Sequence, residues 1–172
     1  MSTVPLPDGP VSPEVAEIER ALTRVAYLGT RQRQHDRLTA LADVPLDRAA
    51  VALLRQVADS EPLRPGELAA RLGVEASHVT RTVQQLQRTG HVSRVPDPED
   101  RRAQRIELTD AGRRAVARLR EAGARGMQLA LADWSPEDLR HLATLFHRMV
   151  DDFLGHAAEE EPQGRSAAKT GT

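Results

Sequence analysis

Apolar residues recur at helical spacing along most of the chain, and the spacing changes character only once. Ser12-Pro13-Glu14 opens the first periodic stretch with a Ser cap, a proline at the first helical position and an acid in the first turn. Val15, Ile18, Leu22 and Val25 then form a stripe. Gly29 interrupts it, residues 30–37 are polar throughout, and Leu38 and Leu41 restore apolar character. This region reads either as one long helix with a weak middle or as two pieces. Pro45 ends it, since a residue before proline avoids helix. Leu46–Ala58 predicts the next helix, with Leu46, Ala50, Leu53, Leu54 and Val57 on one side. Pro65 opens a short helix that turns Leu68, Ala69 and Leu72 inward and stops at Gly73. A further helix follows near Ser77 and stops at Gly90, burying Val79, Val83 and Leu86.

The change comes next. Val92–Val95 and Gln104–Leu108 read as two short strands around the turn-forming run Pro-Asp-Pro-Glu-Asp. Helical spacing then resumes. Thr109-Asp110 starts a long helix to about Leu131, whose expected inner face is Ala115, Val116, Leu119, Ala122, Gly123, Gly126, Met127 and Ala130. Two glycines on that face imply close packing of another helix, or else a soft segment; close packing is the favoured reading. Ser135-Pro136-Glu137-Asp138 is the clearest helix start in the chain. Leu139, Leu142, Phe146, Met149, Val150 and Phe153 give it a wide apolar stripe to about Gly155. The pattern predicts a mainly α protein with a small β-hairpin. Residues 1–11 are expected to be a flexible arm, residues 12–156 a single domain, and residues 157–172 a disordered tail without large apolar side chains.

Composition narrows the class. The 172 residues carry 40% hydrophobic and 28% charged positions, ordinary for a globular chain. The net charge of -1 excludes a uniformly basic nucleic-acid binder. It leaves room for a local one, because six Arg stand against three acids between Arg81 and Arg105. There is no cysteine, which removes disulfides and thiolate-bound zinc. His141, His147 and Asp151 lack a strong metal-ligand spacing, so no metal and no cofactor is expected. No nucleophile elbow, P-loop or glycine-rich dinucleotide turn occurs, and an enzyme is not expected. No apolar run approaches the length of a membrane span and no signal peptide is visible, so the expected location is cytoplasmic, with no membrane partner.

The candidate chemistry lies in the helix-turn-helix and hairpin of residues 65–108. The second helix leaves Ser77, Thr80, Arg81, Gln84, Gln85 and Arg88 outward or flanking, and Ser77, His78, Thr80, Arg81, Gln84 and Gln85 are its candidate contacts. Such side chains reach base edges and phosphates, and arginine pairs guanine bidentately. In the hairpin, Arg94 lies on a strand, while Asp100, Arg101 and Arg102 sit at or near the tip. Arginine suits the negative potential of a narrow minor groove.

On the segments LAARLGV, SHVTRTVQQLQRTGHVSR and DPEDRRAQRIELTDAG, residues 46–112 resemble the MarR family, the multiple antibiotic resistance regulators. The last segment, an acid-Arg-Arg wing followed by Leu-Thr-x-x-Gly, is the most specific. The flanking helices match in placement and length and not in residues. The resemblance implies a winged helix-turn-helix over about 46–110, dimerised by helices over about 12–42 and 111–156. It implies a homodimer that binds a near-palindromic double-stranded operator, as a ligand-responsive repressor. It implies a recognition helix over about 76–89, with Ser77, Thr80 and Arg81 at base or phosphate contacts. It places Arg102 in the minor groove, Asp100 as its buttress and Arg101 as a neighbour, with Arg94 on the backbone or bracing the wing. His78 departs from the family's usual small polar residue. The resemblance further implies a pocket for a small phenolic or anionic effector, for which Tyr27, His35, Leu53 and Trp134 are candidate walls. The competing expectation is a winged-helix module for protein–protein interaction without sequence-specific DNA binding.

Overall fold

The computed structural model describes residues 9–60, 62–100 and 102–160, with side chains through residue 156. In chain order they form α1 (Pro13–Gly29), α2 (Gln32–Ala42), α3 (Arg48–Ala58), α4 (Pro65–Leu72), α5 (Ala76–Arg88), β1 (Val92–Pro96), β2 (Gln104–Leu108), α6 (Asp110–Ala130) and α7 (Pro136–Glu160). The fold is mainly helical, with one two-stranded antiparallel wing and long terminal helices. Residues 14–130 make one compact unit, and the described residues outside that range belong to a second.

The first unit is built around α3. Leu53 and Leu54 of this helix, Leu68 of α4, Val79, Val83 and Leu86 of α5, Ile106 of β2 and Leu119 of α6 are all essentially inaccessible. Burying a Leu or Ile side chain of this kind contributes about 1.5–3 kcal/mol, so these positions hold α4 and α5 to the wing and to α6. The helix that begins the core starts later than its apolar spacing predicts. Asp47 accepts a hydrogen bond from the Ala50 N–H at 2.8 Å and is the cap, so α3 begins at Arg48. Leu46 stays in the preceding loop and is still buried.

The ambiguous first region resolves into two helices. Gly29 ends α1, Thr30 and Arg31 turn the chain, and α2 starts at Gln32. No α1 residue is buried, whereas α2 buries Thr39 and Ala42. The α2 end is closed by Asp43 in the left-handed conformation (φ 49°), which a short polar side chain tolerates.

The inner face of α6 ends sooner than expected. Gly112, Ala115, Val116, Leu119 and Ala122 are buried, but Met127 and Ala130 are exposed. The expected close packing at the two glycines is also absent among the described residues. A Cβ at Gly123 would meet only Leu38 Cδ1, at an ordinary 3.9 Å, and one at Gly126 would meet nothing within 4 Å. An apolar stripe shows that a face is suited to burial; it does not show that the same chain supplies the cover.

In the second unit, α7 begins at the predicted cap. The Ser135 hydroxyl accepts from the Asp138 N–H at 3.1 Å and donates to the Asp138 carboxylate at 2.6 Å. The helix runs on to Glu160, past the expected stop near Gly155. Its stripe has no buried member: Leu142, Leu145, Phe146, Val150, Phe153 and Leu154 are all exposed. Among the described residues, no helix is long and apolar enough to cross a membrane.

Candidate nucleic-acid interface

The turn between α4 and α5 exists because Gly73 takes φ +63°, a conformation that costs other L-residues strain. Two backbone N–H groups close the end of α4: Gly73 donates to Ala70 and Val74 to Ala69. The chain then re-enters helix at Ala76. Val79, Val83 and Leu86 pin one side of α5 to the core, which leaves the opposite side facing solvent. Ser77, His78, Thr80, Arg81 and Gln84 are exposed on that side. The Thr80 hydroxyl donates to the Ala76 carbonyl at 2.9 Å, so its proton is occupied while its oxygen still accepts. Gln85 differs from the rest. It is half-buried, and its amide donates to Asp47 at 3.2 Å, tying α5 to the α3 cap.

At the far end of α5, Gly90 (φ +73°) turns the chain into β1. This corner is locked onto the start of α6. The Thr109 hydroxyl donates to the Gly90 carbonyl at 2.6 Å, and the Thr109 N–H donates to the His91 carbonyl at 3.1 Å. Gly112 sits so close that an added Cβ would lie 2.1 Å from the His91 carbonyl oxygen. Only glycine fits there, which gives the glycine of the Leu-Thr-x-x-Gly run a physical role. Burial, with Arg118 as a lesser contributor, holds the His91 imidazole below its usual pKa.

The wing is a register of five pairs, from Val92 opposite Leu108 to Pro96 opposite Gln104. One face passes from the buried pair Val92 and Leu108, through Arg94 and Ile106, to the exposed Pro96 and Gln104. Arg94 is a brace: its guanidinium donates to Gln87 of α5 at 3.1 Å and to Gln104 of β2 at 3.4 Å. A third segment joins the sheet where the Ile106 N–H donates to the Leu63 carbonyl at 2.8 Å.

The loop beyond the strands is organised by a residue that the sequence reading passed over. Asp97 is buried, and one carboxylate oxygen accepts from the N–H groups of Glu99 (2.8 Å) and Asp100 (3.2 Å). Its other oxygen accepts from Arg64 Nε at 2.6 Å and Arg105 Nε at 2.8 Å. Those two arginines, followed by the backbone donors, hold the Asp97 carboxyl far below the usual carboxylate range against the opposing effect of burial. Asp97 raises the pKa of both arginines in return. The Asp before Pro-Glu-Asp was a visible turn signal; its partner Arg64 lies 33 residues away and left no local trace. Asp100, the expected buttress, accepts from the Arg102 backbone N–H at 2.9 Å. Arg102 is exposed on the wing, and Arg101 lies outside the described residues.

The four candidate effector residues do different things. Tyr27 is exposed on α1, with the Arg31 guanidinium 5.0 Å from its ring centroid. His35 is half-buried and its Nε2 lies 3.0 Å from the Leu46 carbonyl, joining α2 to the loop before α3. Leu53 is 1% exposed and packs in the centre of the core. Trp134 falls in the other unit and is exposed. A separate open cleft of about 430 Å³ lies between the end of α3, β2 and α6, bordered by Val57, Ser60, Glu107, Arg113 and Arg120. No group of three or more His, Asp or Glu suited to a metal occurs among the described residues.

This arrangement of short helix, tight turn, solvent-facing polar helix and braced wing has counterparts. The model of the MarR family matches residues 44–103. The HTH-type transcriptional regulator YdgJ of Bacillus subtilis is 30% identical over 104 residues, 60% of this chain and 63% of YdgJ. The chain therefore spans somewhat under two thirds of that relative. YsmB of the same organism, also an HTH-type transcriptional regulator, is 30% identical over 102 residues, 59% of this chain and 67% of YsmB. Among solved structures, a MarR family protein from Bacillus stearothermophilus aligns over 85% of this chain and 99% of its own, with a TM-score of 0.70 at 24% identity. The transcriptional regulator Tm0710 from Thermotoga maritima aligns over 80% of this chain and 97% of its own, with a TM-score of 0.63 at 26% identity. The chain belongs to the MarR family of DNA-binding, winged helix-turn-helix transcriptional regulators.

Proposed function

We propose that this regulator acts as a homodimeric repressor, each subunit placing α5 in the major groove of one half of a near-palindromic operator. Ser77, His78, Thr80, Arg81 and Gln84 meet base edges and phosphates. Arg102, with Arg101 as its neighbour, enters the flanking minor groove. Gln85 and Arg94 act as braces, since the structure already gives each a protein partner. The observation that carries the reading is the division of α5 into a fully buried apolar side and an exposed hydrogen-bonding side, next to a wing tied to the same helix. A groove-reading helix needs that division.

Dimer formation is supported by apolar side chains that the single chain leaves exposed: Val15, Ile18 and Val25 of α1, and Leu142, Phe146 and Phe153 of α7. Stripes of that size on long helices are suited to burial against a second copy. We also propose a small phenolic or anionic effector that lowers operator affinity. The corner of α1 and α2 supports it, where Tyr27 and Arg31 offer an aromatic ring and a guanidinium together. Release requires the effector to favour a non-binding arrangement; tight binding alone shifts nothing.

The test is selection of duplexes from a random pool, followed by fluorescence anisotropy with the selected site and a scrambled one. Enrichment of a two-fold-related site, bound well above the scrambled duplex, is the expected result. Absence of any enriched sequence would contradict the reading and favour a winged helix that binds protein instead.

A further inference from the structure

Strand register creates a conflict at the base of the wing. The bridge between Leu63 and Ile106 sets the next residue of one segment, Arg64, opposite the previous residue of β2, Arg105. Like charges directly opposite in a sheet repel. Asp97 lies between them, with its side chain wholly inaccessible, and a single oxygen accepts from both guanidinium Nε groups. Arg64 is also the residue that leads into α4, and its own N–H donates to Glu67 in the first turn of that helix at 2.8 Å. The carboxylate thus joins three elements: β2 through Arg105, the tip loop through Glu99 and Asp100, and the start of α4 through Arg64. Arg94 ties the wing to the other helix of the pair through Gln87. The wing is held to both helices of the helix-turn-helix: to α5 through Arg94, and to the start of α4 through Asp97 and Arg64 beside the bridge of Leu63 and Ile106.

We infer that Asp97 is the positioning residue of the interface: through Arg64 it fixes the wing tip at a set distance from α5, so that major-groove and minor-groove contacts are made together. Asp97 and Arg64 themselves touch no DNA. The inference rests on the reading of α5 and the wing as the DNA-contacting parts. It predicts that loosening the strut removes wing contacts and leaves the contacts of α5 in place.

Two variants separate the strut from the fold. In Asp97→Asn the side-chain oxygen still accepts from Glu99 and Asp100, so the turn is kept. Its NH2 group faces the Arg64 and Arg105 donors, donor against donor. Arg64→Ala removes the side-chain tie to the start of α4; it leaves the pair of Asp97 and Arg105 and the backbone bridge of Leu63 and Ile106 intact, so it keeps the wing folded. On the selected operator, hydroxyl-radical cleavage reads the minor groove and methylation of guanine N7 reads the major groove. Both variants, like Arg102→Ala, are expected to lose minor-groove protection at the operator flanks and to keep N7 protection. Affinity should fall about 10-fold, the scale of one lost specific arginine contact. In a double-mutant cycle, Arg64→Ala should cost nothing further once Asp97 is Asn. Undiminished flank protection in the variants, or additive losses showing that Arg64 binds DNA on its own, would overturn the inference alone. A wild-type protein that protects no duplex would overturn the reading beneath it as well.

Discussion

Arg102 and Gly112 stand five residues to either side of Glu107, yet they govern different properties. Arg102 is exposed, and its backbone N–H donates to Asp100 within the loop. Arg102→Ala should weaken operator binding by about 1–3 kcal/mol and leave the urea midpoint unchanged. A normal binding isotherm would remove it from the interface. Gly112→Ala should act the other way round. Its Cβ would have to displace a backbone carbonyl at 2.1 Å, and overpacking of this kind costs roughly 1–3 kcal/mol. An unchanged urea midpoint would show that the α6 start yields more easily than the contact suggests. Asp97 adds a pH dependence. Its carboxyl pKa is depressed on folding, so it stabilises the fold fully above the unfolded-state value near pH 4. That contribution is lost as pH falls further toward the folded-state value. Acid titration of wild type against Asp97→Asn should show the variant's stability falling less steeply below about pH 4; parallel curves would contradict the assigned pairing.

Among the elements, α4, α5 and the wing were legible because their signals are local. Pro65, Gly73 and Gly90 mark ends that the structure reproduces, and Val79, Val83 and Leu86 spaced along the helix fix which side of α5 is buried. What was not legible depends on partners distant in sequence. The expected support for the wing was Asp100, two residues from Arg102; the buried support is Asp97, held by Arg64 from before α4. Leu53 belongs to the apolar side of α3 and is buried in the core, as its spacing predicts. The stripe of α6 continues past Ala122 in sequence but loses its cover there, because a pattern does not say which chain supplies the other side. The exposed arginines Arg81 and Arg102 predict an element-level property. If α5 and the wing both contact phosphates, the logarithm of affinity should fall linearly with the logarithm of salt concentration, with a slope near 0.9 per phosphate contact. Arg81→Ala should lower that slope by about one. A slope identical to wild type would place Arg81 away from the backbone.

For the whole molecule, the unresolved balance lies in its termini. The unit of residues 14–130 has a closed core, while α1 and α7 carry apolar side chains that their own chain leaves in water. In the proposed dimer a second copy covers them and sets the distance between the two α5 helices that the proposed two-fold operator requires. The most direct measurement combines both demands: light scattering of the protein alone and bound to its selected operator. The expected values are twice the 18.9 kDa chain mass for the free protein, and one such dimer per duplex, with no complex on a scrambled duplex at the same salt concentration. A monomer at micromolar concentration, or equal binding to both duplexes, would contradict a dimeric regulator that reads DNA sequence through α5 and its wing.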